Sequence, residues 1–335
     1  MGIKYWRGTN SNNWSDAGNW FGGKPGSGDL VAFDGDSPVE STINVDEAAS
    51  CAGISTVGLP DVGGLLELDG SYDLSVTGTV NLQIGKITGS YSGTLTLTGG
   101  SPFLGIYGLN CNIVINMTGT CTLVQDLNIP SNTLTITKGT FDAGGYAVTA
   151  RSISSSGTQT RQIKFGGGLW TLTGYGTVWD CSTPTNLTLD ISGGPTIKLT
   201  NNSANAKTFA GGSLIYDNFW DATLGAGKVT ITGSNTFNNV KWNAGRTLQV
   251  AAGSTQTINS LSPMGTSGSH AVLTADSAAY FSINKSSGLV LISYIDISYC
   301  HGIGGGTFIA LNATDNGNNS GWTFNAASGP TFMMF

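Results

Sequence analysis

Charge is what this chain has least of. Only 10% of its 335 residues are Asp, Glu, Lys or Arg, and no glutamate follows Glu67. Eleven of the 20 carboxylates fall before Ser75, so the long remainder is almost uncharged. The 14 basic residues are scattered singly and the net charge is −6, which argues against nucleic-acid binding, because phosphates need clustered Lys and Arg. Long apolar runs are missing too; none reaches the roughly 18 residues of a membrane span. Met1 leads directly into "GIKYWRGTN" with no apolar h-region, so the expectation is a chain made without a secretion signal. Helical periodicity is absent, with no stretch of about 12 residues carrying apolar side chains at i, i+3, i+4 and i+7. The five cysteines (Cys51, Cys111, Cys121, Cys181, Cys300) are odd in number, far apart and without a CxxC pair. They fit neither a disulfide framework nor a zinc site and read as reduced, buried thiols.

Glycine, serine, threonine and asparagine are abundant. Fifty glycines against nine prolines suit many short strands joined by tight turns, and a 39% hydrophobic fraction is enough for a continuous core. From residue 64 to 325 the chain is a series of short alternating runs such as Thr94–Thr98 "TLTLT", Asn112–Asn116 "NIVIN", Thr133–Thr137 "TLTIT", Thr196–Thr200 "TIKLT" and Lys228–Thr232 "KVTIT". Each puts Leu, Ile or Val on one face and Thr, Asn or Lys on the other, the period-2 signature of a half-buried strand. Comparable strands recur about every 19 to 24 residues, near the coil length of a solenoid. Ile231 to Val250 is one such step, and Leu95 to Leu134 is two. The pattern predicts an all-β fold, a right-handed parallel β-helix, with another all-β architecture such as a jelly roll or sandwich as the alternative.

A solenoid must close its end coils. Residues 1–63 read as that closure, opening with "NNWSDAGNW" at 12–20. Trp6, Trp14, Trp20 and Phe33, with Tyr5 and Phe21, would cover the first coil. Asp16 and the asparagines would bond backbone in the turns, while Asp29, Asp34 and Asp36 would keep the edge from pairing with other chains. The body is expected over 64–325 and an apolar tail over 326–335.

Two segments carry a family likeness. The opening W-x-G…W-S-D-x-x-N-W…P-x-x-G-D pattern (Trp6, Gly8, Trp14, Ser15, Asp16, Asn19, Trp20, Pro25, Gly28, Asp29) resembles the openings of β-helical surface proteins of bacteria and phages. The closing stretch 293–324, with Tyr294, Ile297, Gly304 and "DNGNNSGWTF" at 315–324, resembles the last coil of β-helical structural proteins of tailed phages. The resemblance covers about a fifth of the chain and implies a virion setting, assembled in the host cytoplasm, without fixing a place on the particle.

β-Helical phage proteins include spikes that cut host polysaccharide, and glycoside hydrolysis needs two carboxylates about 5 to 9.5 Å apart. The best pair here is Asp217 and Asp221 in "YDNFWDA", where Trp220 offers a ring for a sugar. The plainer alternative leaves both acids solvated and Trp220 packed against a loop. His270 and His301 sit in no catalytic or metal-ligand spacing, and "DNGNNSG" at 315–321 lacks the glutamate of an EF-hand loop. No cofactor or metal is implied.

The expectation is therefore a non-enzymatic structural protein of a tailed-phage virion, a capsid decoration (cement) or head-fibre protein. It would be a homotrimer docked on the major capsid protein or another virion protein. The competing reading is a tailspike or tail fibre that binds or cleaves host glycan through Asp217, Trp220 and Asp221. A bacterial surface adhesin is a third. In the tail, Phe332, Met333, Met334 and Phe335 are too apolar to leave in water. They either dock on sister subunits or a virion partner, or fold back on their own chain.

Overall fold

Threonine alternating with leucine, isoleucine or valine gives each strand one wettable and one apolar face, and the apolar faces are buried by stacking. In the computed structural model the chain is all-β with almost no helix, its parallel strands stacked as a β-solenoid of about 12 turns. The structure describes residues 2–34, 36–38, 42–55, 66–82, 87–88, 91–100, 102–106 and 111–325. By its contacts the chain divides into two compact units, Met1–Thr173 with Thr185–Gly193, and Gly174–Pro184 with Gly194–Phe335. The expected boundary at residues 63 and 64 and the apolar tail, with Phe332, Met333, Met334 and Phe335, lie outside the described residues.

The first unit opens with an antiparallel contact. Ile3–Trp6 runs against Trp20–Phe21, with Trp6 opposite Trp20, and its other edge runs parallel to Leu30–Ala32. Parallel stacking takes over from there. Ala49–Cys51, Leu74–Val76, Thr94–Leu97, Asn112–Leu123 and Leu127–Asp142 form one column of successive neighbours. Leu95 pairs with Ile113 and Ile113 with Leu134, so the spacing read from sequence is two coils. Leu97, Ile115 and Ile136 continue the buried file. The step is uneven: 18 positions separate Leu95 from Ile113, but 26 separate Ile163 from Leu189. Turns absorb the difference while strands keep register, which is why no tidy repeat is visible in the sequence.

The second unit repeats the scheme. Val229–Thr232, Thr247–Val250, Ala271–Ala275 and Ile295–Ile297 form one column, in which Ile231 pairs with Val250. A neighbouring column holds Thr196–Leu199, Ile215–Asp221, Thr236–Asn243 and Thr255–Met264. Its start is filled by rings: Phe209 stacks on Trp179 at 5.8 Å and meets Tyr216 edge-on at 5.0 Å. The buried Tyr216 hydroxyl donates to the Gly211 carbonyl at 2.7 Å and accepts the Trp179 indole N–H at 3.1 Å. Each such ring pair adds about 0.5–1.5 kcal/mol beyond area burial. Gly212 shows why glycine punctuates the coils: at φ 65°, a Cβ there would lie 1.9 Å from the Cys181 carbonyl oxygen.

Candidate functional site

The "NNWSDAGNW" segment folds as a cover. Trp6, Trp14, Trp20 and Phe33 are all buried. Trp20 meets Trp6 edge-on at 4.9 Å and Trp14 at 4.8 Å, and its indole N–H donates to the Trp14 carbonyl at 2.9 Å. The backbone of 12–14 bonds to Asn44 on both sides, Trp14 N–H to Asn44 carbonyl at 2.8 Å and Asn44 N–H to Asn12 carbonyl at 2.7 Å. Asn44 belongs to Thr42–Val45, whose other edge pairs with Leu66–Gly70. The segment thus occupies an edge of that strand that would otherwise be open to strand addition.

The cap acids bond backbone and side chains of their own unit. Asp16 accepts the Gly18 N–H at 2.9 Å and caps the short 3-10 helix Ala17–Asn19. Asp29 accepts the Gly2 N–H at 3.0 Å, and that bond holds its carboxyl below the usual range. Asp34 is lowered by the Arg7 guanidinium, which grips it at 2.8 and 2.9 Å. Phe21 differs from expectation: it is 65% exposed and covers no core, because its strand neighbour Trp20 takes the inward direction. Asn19 makes the backbone bonds expected of the asparagines, while sequence reading passed over Asp46. Asn19 is fully buried and bonds Asn10, Ser11 and Asn13, and Asp46 accepts both the N–H and hydroxyl of Ser15.

The structure separates the proposed carboxylate pair. On Ile215–Asp221, Tyr216, Phe219 and Asp221 are buried, whereas Asp217 and Trp220 are half-buried. Pairing with Thr236–Asn243 keeps one register, Tyr216↔Phe237 and Asn218↔Asn239, but the buried positions step by three from Tyr216 to Phe219 and by two to Asp221, so the alternation is reset after Tyr216. Asp217 therefore turns away from the interior that Asp221 enters, and the plain expectation of two solvated acids fails at Asp221. Trp220 is packed not by a loop but by lysines. Lys198 and Lys241, its register partners on the two adjoining strands, place Nζ at 4.3 and 4.2 Å from its ring centroid. With ammonium groups against it, the ring has lost the free face that sugar stacking needs.

Asp221 belongs instead to a buried polar cluster with Lys207 and Arg246. Its Oδ1 accepts the Thr223 hydroxyl at 2.6 Å and N–H at 3.0 Å, while Oδ2 has no hydrogen-bond partner and faces the Arg246 Nε at 4.0 Å. Burial raises this carboxyl above its ordinary value, against the opposing pull of Thr223. Lys207 donates to the Ser203 and Asn205 carbonyls at 3.0 and 2.9 Å, and burial lowers its ammonium. All three side chains are buried in the folded chain.

The remaining candidates resolve into packing. His301 lies against the Tyr280 ring at 4.1 Å, while Cys300 points inward and burial raises its thiol, so the neighbours face apart. Burial pushes Cys51, Cys111 and Cys121 up to about 12, leaving no reactive thiolate. His270 Nδ1 bonds Asp296 at 2.8 Å. In the 315–321 turn, Asp315 accepts from the Gly317 N–H at 2.9 Å and the Asn319 side chain at 2.6 Å, an Asn-rich turn bonding itself. Among the described residues, no three His, Cys, Asp or Glu side chains gather as a metal site, and no helix is long and apolar enough to cross a membrane.

One concavity went unnoticed in the sequence. In the first unit, a cleft of about 310 Å3 opens beside Gly139, lined among others by Thr118, Lys138, Thr140, Thr160, Gln162 and Thr188. Its lining reads as ordinary strand and turn chemistry, and only the stacking of distant coils brings it together. No protein-family model, curated protein or solved structure matches the chain.

Proposed function

We propose that the chain is a non-enzymatic structural protein of a tailed-phage virion, a capsid decoration or head-fibre protein that acts as a homotrimer on the major capsid protein or another virion protein. The observation that carries the non-enzymatic part is the division of Asp217 from Asp221 across their strand. Acid–base cleavage of a glycosidic bond needs both carboxyl groups on one ligand. A stacked, edge-covered solenoid with hydrogen-bonded turns suits a load-bearing surface element. The virion setting rests on the likeness of the opening and closing segments to phage structural proteins. Incubating the purified chain with host capsule and lipopolysaccharide and assaying new reducing ends tests the first part, with no release expected. Gold-labelled antibody on intact particles tests the second, with label expected over the head; label confined to tail tips, or activity lost on Asp217→Ala, would replace this reading with the tailspike one.

A further inference from the structure

The cleft beside Gly139 is made by an irregularity in an otherwise regular stack. Asn116 pairs with Lys138 and Thr120 with Thr140, so residues 117–119 stand opposite the single Gly139. The surplus chain forms a bulge. Gly139 makes room for it: at φ 89°, a Cβ there would lie 2.6 Å from the Met117 carbonyl oxygen and 2.9 Å from that of Gly119. Beyond Gly139 the stack is regular again, with Thr140, Gln162 and Thr188 in one row across three strands. Three strands at about 4.8 Å spacing span roughly 10 Å, the length of two sugar rings.

The lining is chemically one-sided. Arg161 is buried at the cleft, its donors committed to the carbonyls of Gln159 at 2.9 Å, Thr185 at 2.7 Å and Ser155. It contributes positive charge, with each of its three nitrogens bonded to a carbonyl of the protein. Lys138 carries the accessible cation, and no carboxylate is among the described residues that line the cleft. The hydroxyls of Thr118, Thr160 and Thr188 make no hydrogen bond within the described residues, and Gln162 is engaged only through Oε1, by Thr140 at 3.4 Å. Lys138, the three threonine hydroxyls and the Gln162 amide N–H2 thus belong to residues that line the cleft and have no hydrogen-bond partner among the described residues, beside the buried Met117. A ligand that satisfies them has several hydroxyls, one negative charge and aliphatic C–H faces.

We infer that this cleft binds an acidic sugar of a polysaccharide, its carboxylate on Lys138 and its hydroxyls on Thr118, Thr160, Gln162 and Thr188. The site is independent of the structural role proposed above; a protein that coats a particle can also hold it to an acidic glycan without cutting anything.

The test uses the full chain, with digalacturonate as the acidic probe and maltose as the neutral one, followed by calorimetry and by saturation transfer from protein to sugar protons. Digalacturonate should bind and maltose should bind at least about tenfold more weakly, the scale of one charge-assisted hydrogen bond. Lys138→Gln, on the surface, should keep the wild-type melting temperature and lose that preference, and the wild-type affinity alone should fall as salt is added. Thr188→Val should weaken both sugars. Absence of digalacturonate binding, or equal affinity in Lys138→Gln, would overturn the assignment and leave the virion role untouched. Reducing ends released from the probe would instead count against the non-enzymatic reading.

Discussion

Arg246 reaches from its own coil to the coil before it and sets its Nε 4.0 Å from the Oδ2 of Asp221, with both side chains out of solvent. The guanidinium also donates to the Thr223 hydroxyl at 3.0 Å and to the Gly227 carbonyl, so it ties one turn of the solenoid to the next. Removing it leaves a buried carboxylate without its counter-charge. Arg246→Met should cost about 3–5 kcal/mol in denaturant unfolding, and Asp221→Asn distinctly less, because the amide keeps the Thr223 bonds and Arg246 keeps its own to Thr223 and the Gly227 carbonyl. Equal losses in the two variants would show that packing, not charge, holds the cluster.

Asp221 and Asp34 should give stability opposite dependences on pH. The native Asp221 carboxyl is raised above its ordinary 3.8, so the folded state keeps a proton that the unfolded state has lost. Its contribution is greatest in acid and declines as pH rises from 3.8 through the raised value. Asp34 is lowered from 3.8 by Arg7, so its contribution is present above 3.8 and lost as pH falls through the lowered value. Melting curves across this range should show Asp34→Asn flattening the acid loss and Asp221→Asn removing the decline above it.

Trp20 holds Trp14 through one hydrogen bond and one edge-on contact. Trp14→Ala and Trp20→Ala should each cost about 3–5 kcal/mol, the usual penalty for truncating a buried large ring. Trp20→Phe keeps most of the apolar volume and should cost less, with near-ultraviolet circular dichroism reporting the loss of the packed indole. Wild-type melting in both alanine variants would mean that the tryptophans form a contact surface and not a cover.

All five cysteines are buried and outside any disulfide. Their thiols should resist an aqueous disulfide reagent in the native protein and all react once denaturant is added. A fast-reacting thiol before unfolding would reveal an opening of the coil that carries it.

Much of the architecture could be read from the sequence because stacking preserves alternation. Leu95, Ile113 and Leu134 are in register because turn length varies and strand polarity does not. The burial of Trp14 and Trp20 was legible for the same kind of reason: in an otherwise polar turn they have nowhere to go but inward. What failed was counting across an irregularity. Strict alternation places Asp217 and Asp221 on one face, but burial steps by three between Tyr216 and Phe219, which leaves Asp217 half-buried and Asp221 buried. The Lys207–Asp221–Arg246 cluster was hidden because its members come from three different coils and each looks, alone, like a solvated charge. The cleft was hidden too, since the three residues opposite Gly139 leave no local mark in the sequence.

A chain that spends so few basic residues is a poor substrate for trypsin-like proteases. No Lys or Arg lies between Arg246 and Lys285, and none follows Lys285. Of the sites that do exist, Arg161, Lys207 and Arg246 are out of reach in the folded state, and Lys285 is engaged by Asn259 through both its carbonyl and its side chain. Enzymes that cut after glutamate find nothing beyond Glu67. Digestion of the native protein should therefore trim the acid-rich start first and leave the coils from Arg246 onward intact in protease-rich surroundings.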